Sequence, residues 1–220
     1  RDLVRSRGLG DVYKRQVEDF KTMLSVALKN IKEREDEFSR LDAVIGDGDH
    51  GQAIVTAMTA IVNTAQKGTE FKAMLNDIVF TVMLEVSGST STLLGALFLG
   101  MSDCASGTEL DAAGVKTMFA GGLANVRRQT KAQKGDKTMM DALIPAVDAI
   151  QSCPSDDIRE IMNAGAEAAI AGAESTLEMK ANFGRARNYG ERSIGHIDSG
   201  AASWSCMSVS YTHLTLPTIR

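Results

Sequence analysis

Residues 17–41, VEDFKTMLSVALKNIKEREDEFSRL, carry Phe20, Leu24, Ala27, Ile31 and Phe38 near one face of a helix. Apolar residues three or four apart, with charges between them, bury one stripe and solvate the other. The same spacing returns along the chain. It predicts helices over 52–66, stopped by Gly68, from Phe71 to Val86, from Leu93 to Met101, and from Lys137 to Ile150. Thr108 followed by Asp111 resembles a capping box and predicts a helix running from there toward Arg128. Pro154-Ser155 opens one more, with Ser155 as N-cap, and its alanines (Ala164, Ala166, Ala168, Ala169, Ala171) let neighbouring helices approach closely. No strand pattern emerges between residues 17 and 200. The expected fold class is all-α, a helical bundle with its functional loops gathered at one end.

Composition agrees. The 220 residues suffice for one sizeable domain rather than two. Few aromatics beside abundant Ala, Gly and Met suit close-packed helices better than a sheet sandwich. A formal net charge of −4 argues against a nucleic-acid surface. Cys104, Cys153 and Cys206 are odd in number and form no C-x-x-C pair, which argues against a disulfide framework or a zinc site and fits a reducing, cytoplasmic setting. No apolar run approaches the roughly 20 residues that span a bilayer, so no membrane role is expected, and the N-terminus lacks the apolar segment of a signal peptide. The expected domain covers residues 17–203. Residues 1–16 are basic and aperiodic, and residues 204–220 are Ser/Thr-rich with a Pro. Both read as foreign-looking or disordered tails.

Function is most legible at Leu41-Asp42-Ala43-Val44-Ile45-Gly46-Asp47-Gly48-Asp49-His50-Gly51. Asp42, Asp47 and Asp49 put three carboxylates within eight residues. Such charges repel unless a hard divalent cation lies between them, and oxygen-only ligands point to Mg²⁺. On a continuous helix Asp47 would point away from the other two. Gly46 and Gly48 let the backbone turn so that all three converge. A helix beginning near Gly51 would then present free amides and its positive dipole end to phosphate. An EF-hand is excluded, because Gly51 and Met58 stand where an oxygen ligand and a bidentate Glu belong. An isolated D-x-D turn is otherwise often just an exposed loop.

Four later segments combine glycine, hydroxyl and charge. Ser87-Gly88-Ser89-Thr90-Ser91-Thr92 offers amides and hydroxyls to phosphate oxygens, or is an ordinary connection between helices. Gly135-Asp136-Lys137-Thr138-Met139 is a turn that opens a helix. Residues 184–193 and 194–200 together place three Arg, one His, one Glu, one Asp and four Gly in 17 positions, a density suited to a loop that embraces a ligand. Arg185 and Arg192 have the bidentate donors that phosphate prefers. The P-loop, Rossmann and nucleophile-elbow signatures are absent.

In order and spacing, the Asp knot and these segments resemble the nucleotide-binding L subunits of dihydroxyacetone kinases over roughly residues 17–203. The resemblance implies a closed up-and-down barrel of about eight antiparallel helices, with a nucleotide (ADP or ATP) and two Mg²⁺ ions in a shallow site at one end. It implies that Asp42, Asp47 and Asp49 ligate metal. His50 and Gly51 match the start of the phosphate-side helix, Ser89 and Thr90 the phosphate loop, and Met139 an adenine contact. Arg185 matches a nucleotide-contacting arginine, and Asp198 with Gly200 the loop that closes over the nucleotide. The implied activity is phosphoryl transfer to dihydroxyacetone held on a separate K subunit, with ADP recharged by the multiphosphoryl donor protein of a phosphotransferase system. Two alternatives stand beside it: the same chemistry on another short ketose such as erythrulose, and an ADP-sensing regulatory binding protein.

This chain departs from the family pattern at several points. Ala53 replaces a frequent Asn, Thr90-Ser91-Thr92 has lost a Gly and a Pro, Gln129-Thr130 replaces Arg-Gly, and Ser199 stands where Pro is usual. The family continues past Ala202-Ser203 into a long apolar helix. The tail that follows here predicts a last helix that is missing or truncated.

Overall fold

A computed structural model of the protein describes residues 14–86 and 88–209. Its helices are α1 (Val17–Glu33), α2 (Glu35–Ile45), α3 (His50–Ala65), α4 (Phe71–Glu85), α5 (Gly88–Cys104), α6 (Ala112–Gln129), α7 (Met140–Ser152), α8 (Ile158–Ser175) and α9 (Ser199–Val209). The stretch read from sequence as one helix breaks at Arg34, whose backbone leaves the helical region (φ −114°, ψ 13°). The break is held by side chains. Arg34 donates two hydrogen bonds to Glu37, at 2.8 and 2.7 Å, and its guanidinium lies 5.1 Å from the Phe38 ring centre. Burial of that guanidinium opposes these contacts, yet the Glu37 carboxylate prevails and holds the Arg34 pKa well above its ordinary value.

Counting α1 and α2 as one kinked element, eight helical elements stand in a ring. Each packs on its sequence neighbour, and α9 packs back on α1 to close it. Buried side chains from all sides fill the interior, among them Leu24, Met58, Leu94, Phe119, Val147 and Trp204, around a residual apolar cavity of about 50 Å³. Small residues set the closest crossings. Pro145 inside α7 has no N–H to donate to the Asp141 carbonyl. Gly172 of α8 packs on that carbonyl, where an added Cβ would lie 1.9 Å from it. No helix among the described residues is long and apolar enough to cross a membrane.

Several expectations are corrected. Residues 14–16 and 109–111 form short strands, β1 (Lys14–Gln16) and β2 (Glu109–Asp111), paired antiparallel with Lys14 opposite Asp111. Three residues are too few to display an alternating pattern. The N-cap of α6 is therefore Asp111 rather than Thr108, and its carboxylate accepts from Gly114 N at 2.7 Å. Likewise α8 is capped by Asp157, bonded to Arg159 N at 2.8 Å, while Ser155 Oγ accepts from Asp157 N one step earlier. Gly88 to Thr92 form the first turn of α5 instead of an extended loop; Ser87 lies outside the described residues. Where a missing or truncated last helix was expected stands α9, 11 residues long, in which Trp204, Cys206 and Met207 are buried. Of the two expected tails, residues 14–16 belong to β1 and residues 204–209 to α9. Residues 1–13 and 210–220 lie outside the described residues.

Candidate functional site

Up-and-down connectivity brings alternate connections to one end of the barrel, and there they enclose a cleft of about 520 Å³. Its walls come from the end of α2 and the start of α3 (Asp42, Asp47, Asp49, His50), and from the start of α5 (Gly88, Ser89, Thr90). The segment leading into α7 adds Lys137, Thr138 and Met139, and the start of α9 adds Asp198, Ser199 and Gly200. Four helix N-termini thus converge, each with the partial positive charge of its dipole. Such a convergence favours an anion.

Beside these positive ends lies the carboxylate cluster. One oxygen from each of Asp42, Asp47 and Asp49 lies within 4.8 Å of the others. The turn that gathers them needs its glycines. Gly48 adopts φ +80° and donates its N–H to Asp42 Oδ2 at 2.8 Å, and a Cβ at Gly46 would sit 2.6 Å from Asp42 Oδ1. Ser199 Oγ donates to the other Asp42 oxygen at 3.2 Å. The donor set is all oxygen and anionic. Mg–O bonds of about 2.0–2.1 Å place opposite ligands of an octahedron about 4.2 Å apart, so the cluster fits a magnesium-sized ion after a small inward movement. Arg185 pairs with Asp47 at the mouth of the cleft, where both side chains are substantially exposed.

His50 Nε2 lies 2.8 Å from Ser203 Oγ. Burial lowers the His50 pKa, opposed by Asp42 and Asp49. Asp198 caps α9, its Oδ2 accepting from Ala201 N at 2.8 Å. Burial pushes its pKa up to about 6 against the stabilising effects of that amide and of Lys137, with Asp141 and Asp42 adding to the rise.

The structure brings together in this cleft Asp42, Asp47, Asp49, His50, Ser89, Thr90, Met139, Arg185, Asp198 and Gly200. Gly51 instead faces α2: an added Cβ would lie 2.2 Å from Glu35 O and 2.3 Å from Ser39 Oγ. Arg192 stacks over Tyr189, 5.7 Å from the ring centre, and lies outside the cleft wall. Sequence reasoning passed over Phe183 and Trp204, which line the cleft, and read Lys137 as no more than part of a turn. Trp204 lies one residue beyond the expected domain, 17–203. The one signal for Phe183 was its place beside Gly184.

A model of the DAK2 domain matches residues 44–210. The PEP-dependent dihydroxyacetone kinase 2, ADP-binding subunit DhaL, of Listeria innocua serovar 6a is 33% identical over 191 residues, covering 84% of this chain and 88% of the relative. The corresponding ADP-binding subunit DhaL of Escherichia coli K12 is 32% identical over 170 residues, 74% of this chain and 80% of the relative. The L-erythrulose 1-kinase of Mycolicibacterium smegmatis is 32% identical over 192 residues, and the match spans 83% of this chain and 33% of that enzyme. In fold, the chain resembles the crystal structure of the dihydroxyacetone kinase from C. freundii in complex with AMP-PNP and Mg²⁺. That likeness has a TM-score of 0.69 at 21% identity and covers 96% of this chain and 37% of the kinase.

Proposed function

The chain belongs to the DAK2 domain family, and from that membership and the cleft we propose that it is the Mg²⁺- and ADP/ATP-binding subunit of a dihydroxyacetone kinase. The observation that carries the proposal is the triad Asp42, Asp47 and Asp49 set beside four converging helix N-termini. Phosphoryl transfer asks a protein mainly for positioning and charge neutralisation. Here the amides at the starts of α3 and α5, with Ser89 and Thr90, orient the phosphate oxygens. Met139 and Gly200 bound the cleft on the α7 and α9 sides and hold the base. Arg185 reaches the terminal phosphate and neutralises charge that grows on it during transfer. Two Mg²⁺ ions on the three carboxylates supply the electrostatic clamp on the phosphate tail.

The acceptor comes from a partner. Relatives matched over 80% or more of their own length are named ADP-binding subunits of dihydroxyacetone kinases. Their names support a substrate-binding K subunit carrying dihydroxyacetone as the partner, and favour recharging of bound ADP by a phosphotransferase-system donor protein. The test is reconstitution with a K subunit, Mg²⁺ and ATP, following dihydroxyacetone phosphate. Formation of product that requires this chain supports the assignment. Formation of erythrulose phosphate alone would move the acceptor to that ketose, and no transfer to either would contradict it.

A further inference from the structure

Lys137 is the one non-glycine residue with a left-handed backbone among the described residues (φ 60°), and it is 1% exposed. Both features are unfavourable. A Cβ crowds the following carbonyl in that conformation, and an ammonium loses its hydration on burial. A turn alone at position 137 would be better served by Gly or Asn. Such an outlier, kept beside a ligand cleft, points from structure to function.

The ammonium has defined partners. Lys137 Nζ donates to Thr176 O, at the end of α8, at 2.5 Å, and also to His196 O, in the segment leading into α9. Asp198 and Asp141 are the charges that face it. Asp141 also pins the turn that carries Lys137, accepting from Gly135 N at 2.5 Å and from Thr138 N at 2.8 Å. Two residues beyond Lys137, Met139 lies against Gly200, where an added Cβ would be 3.4 Å from the Met139 Cβ. The loop is tied back a second time, since Asp198 N donates to Thr176 Oγ1 at 3.0 Å. Its next residue, Ser199, holds Asp42.

We propose that Lys137 is a positioning residue of the nucleotide site, whose buried ammonium locks residues 196–200 against Met139 so that the cleft is preformed for a nucleoside diphosphate. The proposal rests on the nucleotide-binding role given above. Residues 135–139 and 196–200 come from opposite sides of α8, and Lys137 is the side chain that ties both to its end. Through Ser199 the same tie reaches a carboxylate of the acidic cluster.

The test uses the full chain, ADP with Mg²⁺, and two variants. Lys137→Met keeps the length of the side chain and removes its donors. Thr176→Val removes the second tie without touching charge. Binding is followed by calorimetry, and backbone mobility by hydrogen exchange of residues 194–201. Lys137→Met should weaken ADP binding at least tenfold, with faster exchange confined to that segment. Thr176→Val should weaken it less and in the same direction, and the double variant should be no weaker than Lys137→Met alone, because both act through one loop. A folded Lys137→Met that binds like the wild type overturns the proposal, as does exchange raised evenly through the chain, which marks a purely structural lysine. If Lys137→Met does not fold, wild-type affinity in Thr176→Val overturns it instead. Failure of the wild type to bind ADP at all removes the nucleotide role and this inference with it, whereas a binding wild type with unaffected variants removes the inference alone.

Discussion

Arg185 and Asp47 form an ion pair across the mouth of the cleft, so a carboxylate of the proposed metal-binding triad is engaged by the cation proposed for the terminal phosphate. A Mg²⁺ ion on the triad would compete with Arg185 for Asp47, and would free the guanidinium to turn toward the phosphates. Both side chains are largely solvated, so the pair adds little to stability, on the order of 0–1 kcal/mol. Arg185→Ala should therefore leave the melting temperature nearly unchanged while phosphoryl transfer falls about 100-fold, the scale expected for losing one preorganised stabilising group. Equal transfer rates in wild type and variant, measured with saturating K subunit, would remove Arg185 from the chemistry.

Asp198 supplies a pH dependence with a definite sign. Its folded-state pKa, about 6, lies above the 3.8 of an unperturbed aspartate. The folded protein thus holds this proton more tightly than the unfolded chain. The associated stability is complete below about pH 4 and is lost as pH rises through about 6. Asp198→Asn cannot titrate, yet its amide oxygen still accepts from Ala201 N. In metal-free protein, the melting temperature of the wild type minus that of the variant should fall as pH rises from about 4 to about 6, with its midpoint near 5, and level off above. A difference that stays flat across that range contradicts the placement of Asp198.

Ser199 holds Asp42 at 3.2 Å from the first residue of α9. Proline is well tolerated at the start of a helix, so Ser199→Pro preserves the fold while removing the hydroxyl. With that bond gone, Asp42 keeps the hydrogen bond from the Gly48 amide. Affinity for Mg²⁺·ADP should change by about 2- to 13-fold, the worth of a bond of about 0.5–1.5 kcal/mol. Titration of both proteins under one condition checks it, and identical affinities would show that Ser199 does not tune the carboxylate.

Gly51 sets the approach of α3 to α2. An added methyl would meet the Glu35 carbonyl at 2.2 Å, and backbone yields poorly to such a clash. Gly51→Ala should destabilise the protein by about 1–3 kcal/mol, the usual cost of overpacking, and should pull α3 away from α2. Denaturant unfolding measures the first effect. A variant as stable as wild type would mean that α2 and α3 slide apart freely.

The all-helical class and most of the site were legible because both rest on local pattern. Helical spacing survives in any register, and glycine beside carboxylate marks a turn that gathers charge. What local pattern could not convey was geometry set by tertiary packing. The break at Arg34 depends on Glu37 and Phe38 closing around it. Strand β2 exists because β1 pairs with it, and three residues in isolation have no period to detect. Gly88 to Thr92 joined α5 although Ser and Thr run together there, since that turn stands at a helix start, where hydroxyl residues are at home. Lys137 escaped because its worth lies in two carbonyls 39 and 59 residues away. Trp204 escaped because unusual composition beyond it masked a helix that closes the ring.

The central claim is that Asp42, Asp47 and Asp49 hold magnesium against the diphosphate of a bound nucleotide. Calorimetry of ADP binding, with and without Mg²⁺, on the wild-type chain and on Asp47→Ala tests it most directly. Tight binding by the wild type that requires Mg²⁺, and its loss in Asp47→Ala, is the predicted result. The same affinity in all four titrations would contradict it.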